Sequence, residues 1–176
     1  NIYSEDGVNI INSVFDAKNI SFSLIKFDAM DIDFSKGKLF NLSFKDINND
    51  ALDFSGSDVV VNKVSMKNIG DKMISVGENS FVTISYLNGE KSLVGLASKD
   101  GSKAKIHHFN LKDTEYPFVS YIKKNEYSHG EIFVAGDIKN SQENFFQSDG
   151  VSKIFYRGKD ISKYKKNLVK YLYNWK

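Results

Sequence analysis

Every 22 or 23 residues this chain returns to one set of apolar positions, and that period limits what it can fold into more than any other feature. Leu52, Phe54, Val59, Val61, Val64 and Met66 set the pattern. One period later Ile74, Val76, Val82, Ile84 and Leu87 fill the same slots, followed by Leu96, Ala104, Ile106, Phe109 and Leu111; one period earlier stand Gly37, Leu39, Leu42 and Phe44. Internal repeats of this length build solenoids or arrays. Within a period the apolar residues come in pairs two apart, which is strand periodicity and not the 3.6 of a helix. Each period therefore predicts three short strands, with corners at Ser55-Gly56-Ser57-Asp58, Gly77-Glu78-Asn79-Ser80 and Asp100-Gly101-Ser102.

Helical repeats need two helices per unit, and units rich in Val, Ile, Phe, Ser, Thr and Asn do not supply them. A leucine-rich repeat would show Leu-x-x-Leu-x-Leu, which is missing. The segments DIDFSKGKLFNLSFKDI (31–47), NDALDFSGSDVVVNKVSMKNI (49–69), DKMISVGENSFVTISYL (71–87) and GLASKDGSKAKIHHFNL (95–111) resemble the right-handed parallel β-helix repeat family, in the pectate-lyase-like and polygalacturonase-like superfold. The resemblance implies an all-β, single-stranded solenoid of six or seven coils. Stacked coils lie about 4.8 Å apart, so residues one period apart should touch. Phe44 should rest on Met66, Leu42 on Val64, Leu39 on Val61, Val59 on Val82 and Val61 on Ile84. Before residue 28 the register is looser, and Ile10, Val14, Ile20, Phe22 and Ile25 fit only a shortened coil. After residue 124 the spacing lengthens, with Ile132, Val134, Ile138, Ile154 and Tyr156 as the last inward residues. Tyr164, Leu168, Leu172 and Trp175 recur at helical spacing, which predicts a capping helix over an otherwise open end. The division expected is a β-helix over residues 1–160 and a capping tail over 161–176.

Composition narrows the partners. No run of about 18 apolar residues occurs, so no transmembrane segment is expected. The absence of Cys rules out disulfides and thiolate metal sites. The formal charge of +2 is uneven: residues 151–176 hold eight Lys or Arg against one Asp, leaving sixteen basic and twenty-one acidic side chains in residues 1–150. An acidic body argues against nucleic acid, whose binding needs clustered cations. The opening NIYSEDG has neither an initiating Met nor a signal peptide, which suggests a piece joined to further N-terminal domains.

One constellation of titratable residues asks for an explanation. Matching DIDF to ALDF places Asp33 and Asp53 in one slot on adjacent coils, with Asp31 on the same face and Asp50 opening the next strand. Like charges that close need a shared proton, a cation or a ligand. One answer is a saccharide site in which one carboxyl protonates a leaving oxygen while its partner activates water. A second is Ca²⁺, which prefers clustered hard oxygens. A third is structural, with Asp50 paired to Lys72 one coil on. The polygalacturonase resemblance implies carboxylates at these coils, yet Lys72 stands where that branch has His, and Ala97-Ser98-Lys99 keeps only the Lys of its Arg-x-Lys coil. Lys72 or Lys99 would serve as the base of a lyase, since Arg157 lies far down the chain. The loop KKNEYSHGE offers Lys123, Lys124, Tyr127 and His129, and with Tyr116 and Tyr121 it could wall a cleft and stack on sugars. His107 and His108 are adjacent, so a strand points them to opposite faces and they cannot share a metal. The expectation is a carbohydrate-binding or spacer β-helix of a larger bacterial protein, which the fold resemblance would place outside the cell, on its surface or in the periplasm. The alternative is a polysaccharide hydrolase or lyase acting through Asp31, Asp33, Asp50 and Asp53.

Overall fold

The computed structural model describes residues 6–138 and 144–173. The chain is wound into a parallel β-solenoid of about seven turns with about 22 residues per coil, and about 67% of it is strand. Two coils open it, β1 (Asp6–Ile11), β2 (Val14–Lys18) and β3 (Ser21–Ile25), then β4 (Asp28–Asp33), β5 (Lys36–Phe40) and β6 (Leu42–Ile47). After β7 (Leu52–Ser55) the short strands fuse into β8 (Asp58–Gly77), β9 (Phe81–Lys99) and β10 (Lys103–Tyr121), each running around nearly a whole coil. Coils stack in parallel at a spacing of 22, as in Val14↔Lys36, Ser43↔Ser65 and His108↔Tyr86. The first sheet holds β1, β4, β7 and the ends of β8 to β10. A second holds β2, β5 and the starts of those long strands, and a third β3, β6 and their middles.

The expected stacks are all present: Phe44 on Met66, Leu42 on Val64, Leu39 on Val61, Val59 on Val82 and Val61 on Ile84. Every one of these side chains is buried, and each contributes about 2 kcal/mol by leaving water. The first coil is of full length, which corrects the shortened coil expected before residue 28: Asp6 pairs with Asp28 and Ser21 with Ser43. Val14 points to solvent, 90% exposed, and Phe15 takes the inward slot. At the far end the spacing does lengthen. Ala104 pairs with Ile132 of β11 (Glu131–Val134), and Ile132 then pairs with Ile154 of β13 (Lys153–Tyr156) at the regular step.

The corners are repeated as faithfully as the core. A serine stands at one of them in successive coils, and the N–H groups of Ser13, Ser35, Ser57 and Ser80 donate to the hydroxyls of Ser35, Ser57, Ser80 and Ser102 at 2.9–3.1 Å. These bonds satisfy backbone donors that the turn removes from the ladder. Another corner holds Leu24, Asp46, Asn68, Lys91 and Asp113, all left-handed at φ 49–63°. The step from Ser57 to Ser80 is 23, so one extra residue must be absorbed elsewhere. It is absorbed between Ile69 and Lys72, where Gly70 and Asp71 face a single partner residue in a β-bulge. A Cβ on Gly70 would run into the Asn48 carbonyl, so only glycine fits there.

A C-terminal helix, α1 (Leu168–Tyr173), is present as expected, but Tyr164 falls outside it, 67% exposed, and the helix covers the outer side of the first sheet rather than the end of the column. Leu168 and Leu172 pack with Val94, Ala97, Tyr116, Val119 and Tyr121. That sheet is consequently buried on both faces along 71–77, 94–99 and 116–121. Trp175 lies outside the described residues.

Candidate functional site

The outer face of the first sheet carries the residues that the sequence singled out, and it falls into an open half and a closed half. In the open half the coil spacing of 22 stacks Asp31 on Asp53 and Asp33 on Ser55. The alignment of DIDF with ALDF is therefore two residues out of register, and it is Asp31, not Asp33, that faces Asp53. Asp53 accepts the Phe54 N–H at 3.0 Å. Lys99, two coils away, reaches it by lying along the sheet over Gly77, where a side chain would collide with the Lys99 methylenes, and its Nζ comes within 3.8 Å of Asp53 Oδ1. Burial works against the Lys99 ammonium, but Asp53, Tyr173 and Asp50 outweigh it and hold its pKa above the ordinary lysine value. Asp31 is half-buried, and burial, with Asp33 and Asp53 adding their charge, pushes it up to about 7. Burial, with Asp53 and Glu78 adding their charge, raises Asp33 as well.

In the closed half, the bulge at Gly70-Asp71 turns Asp71 toward Lys72. Lys72 Nζ lies 2.6 Å from Asp71 and 3.5 Å from Asp50, with all three residues buried. Asp50 also accepts the Lys72 N–H at 3.0 Å, and Asp28 repeats the motif one coil earlier by accepting the Asp50 N–H at 2.8 Å. One ammonium can neutralise only one of two carboxylates in a low-dielectric site. Asp71 is the nearer. Burial pushes Asp50 up to about 7 despite the pull of Lys72. Burial also disfavours the Lys72 ammonium, but Asp50, Tyr173 and Asp71 prevail and hold it protonated. Tyr173 closes the assembly from α1: its ring lies 5.0 Å from Lys72 Nζ and 4.7 Å from Lys123 Nζ, and its hydroxyl is 2.7 Å from that of Tyr121.

The remaining expected residues are dispersed. Tyr121 is fully buried against α1 and Tyr116 is 5% exposed, so neither presents a ring to a sugar here. The loop after β10 is pinned to the corner, with Asp100 Oδ1 accepting the N–H groups of Lys123 and Lys124 at 2.7 and 2.8 Å. Lys124 pairs with Glu78, His129 lies 3.8 Å from Glu131, and Tyr127 is partly exposed beside them. Asp31, Asp33 and Asp53 are thus brought together with Lys99; Asp50 and Lys72 are sealed off, and Lys123, Lys124, Tyr127 and His129 stand at the rim. Among the described residues no group of three or more His, Asp or Glu side chains is placed to hold a metal ion. No helix of the described residues is long and apolar enough to cross a membrane.

Sequence reasoning missed Asp71, Tyr173 and a hollow at the corner between the second and third sheets. The 23-residue step was the visible sign of the bulge, and Gly70-Asp71 its natural seat. Tyr173 carried no such sign, because its partners are brought to it only by the fold of the tail. Family models, curated proteins and solved structures were all compared with the chain, and none matches.

Proposed function

We propose that the protein is a non-catalytic carbohydrate-binding module carried on a rigid β-helical spacer, of the pectate-lyase-like type, in an extracellular, cell-surface or periplasmic protein. One observation carries the reading: Asp50, the carboxylate that would complete a catalytic set, is locked with Asp71 and Lys72 beneath Tyr173. A polymer cannot reach that group while α1 is docked. What remains accessible is a stiff surface whose side chains repeat at about the 4.8 Å coil spacing. The test is affinity electrophoresis on neutral and acidic polysaccharides with a reducing-end assay in parallel. Retardation without new reducing ends is the expected result, and the loss of retardation on every polymer overturns the reading.

A second reading is favoured by Asp31, held at about 7 directly beside Asp53. Two carboxyls stacked at about the 4.8 Å coil spacing suit glycoside hydrolysis of the retaining kind, Asp31 protonating the leaving oxygen while Asp53 attacks the anomeric carbon, and water, giving its proton to Asp31, then releasing the sugar from Asp53. Reducing ends released by the native chain and not by Asp53→Ala would move the assignment to this enzyme.

A further inference from the structure

We propose that the hollow at the corner between the second and third sheets seats a neutral, β-linked glycan lying parallel to the solenoid axis. This rests on the carbohydrate-binding reading and gives it a place. Lys63, Tyr86 and His108 stack there on three successive coils, and Ser65, Asn88 and Asn110 form a second file two residues on. The hollow that they, Asn110 excepted, line together with Asn62 and Ser85 has a volume of about 670 Å³. Tyr86 is 41% exposed, an aromatic ring at the surface between two polar neighbours.

The second file is already ordered. Asn110 donates through Nδ2 to Asn88 Oδ1 at 2.8 Å, and Asn88 Nδ2 lies 3.5 Å from Ser65 Oγ. An amide has two N–H donors and a carbonyl with two lone pairs, so a ladder that uses one of each leaves groups able to pair with sugar hydroxyls. Because the ladder fixes their orientation, binding loses less side-chain entropy. Tyr86 supplies an apolar face for the C–H side of a pyranose ring and a polar edge for its hydroxyls. The files advance by about 4.8 Å per coil, which is close to the length of one sugar in an extended β-linked chain. Successive sugars can therefore repeat the same contacts.

Charge favours a neutral polymer. The floor of Ser65, Asn88 and Asn110 is uncharged, and the neighbouring Lys67 is matched by Glu90 at 2.9 Å. An anionic polymer would need cations in excess.

The experiment is affinity electrophoresis of the whole chain in gels containing hydroxyethylcellulose, a soluble β-1,4-glucan, with polygalacturonate gels alongside. The variants are Tyr86→Ala, Asn88→Leu and, as a control on another face, Phe81→Ala, an aromatic residue 56% exposed. The neutral glucan should retard the native chain and Phe81→Ala equally, while Tyr86→Ala weakens binding about tenfold with no change in melting temperature. Asn88→Leu should weaken it as well. Retardation by the glucan that survives Tyr86→Ala, or that is lost in Phe81→Ala instead, overturns the groove and leaves the binding function standing. Retardation by polygalacturonate alone overturns the neutral ligand. If neither polymer retards the native chain, this inference fails; binding function fails with it only when the wider polysaccharide set is also negative.

Discussion

A carboxyl stacked beside another on the next strand persists either by keeping its proton or by acquiring a cation, and the two members of this pair differ. Asp53 has the Lys99 ammonium at 3.8 Å. Asp31 has burial and four acidic neighbours, and is pushed from 3.8 up to about 7. A carboxyl whose folded pKa exceeds its unfolded one favours the fold below the unfolded value, and that contribution is lost as pH climbs toward the folded value. Stability should accordingly decline between pH 3.8 and about 7. Asp31→Asn should flatten that decline and gain about 1 kcal/mol at pH 8, a figure reduced for the residue's partial exposure. Urea unfolding at pH 4, 6 and 8 checks this; an unchanged slope would mean that Asp31 is ionised throughout. At this scale the sequence was legible in part. That aspartates crowd one face followed from alternation, but which two touch depended on a register of 22 rather than 20, and similar DIDF and ALDF strings fit either.

The element whose behaviour matters most is α1. Its amphipathic spacing, Leu168 to Leu172, was readable in the chain, and so was the need to bury that stripe. Its docking place was not readable. A six-residue helix has little stability of its own, so it forms only against a surface that matches it. The outward row Val94, Ala97, Val119 and Tyr121 is such a surface, apolar where a strand facing water would be polar. Leu172→Ala should cost about 2–5 kcal/mol. Hydrogen exchange should locate the effect: amides of α1 and of 94–99 and 116–121 should lose protection while those of β4 and β5 keep theirs. Uniform loss over all coils would show that α1 supports the whole solenoid and not one face of it.

For the whole molecule the repeat is the controlling fact, since each coil stacks on its neighbours and adds its own increment of core and ladder. Removing residues 14–35, one full coil from Val14 to the residue before its partner Lys36, should leave a folded solenoid of lower melting temperature. Removing 21 residues from the same place should lower it further, because the one residue left over must be absorbed at the junction, as the 23-residue step is absorbed at Gly70-Asp71. Thermal melts followed by far-UV circular dichroism distinguish the two, and equal melting temperatures would break the link between period and fold. The period, the strand alternation, the core stacks and the existence of a terminal helix were determined by the sequence alone, because each rests on the local geometry of a strand or helix repeated along the chain. The partner of Asp31, the sealing of Asp50 by Asp71 and Lys72, the seat of α1 and the alignment of Tyr86 with the Asn88–Asn110 ladder were decided by tertiary structure. Those features depend on where an irregular residue is absorbed and on which coils a tail folds back upon, distances that local propensity does not encode.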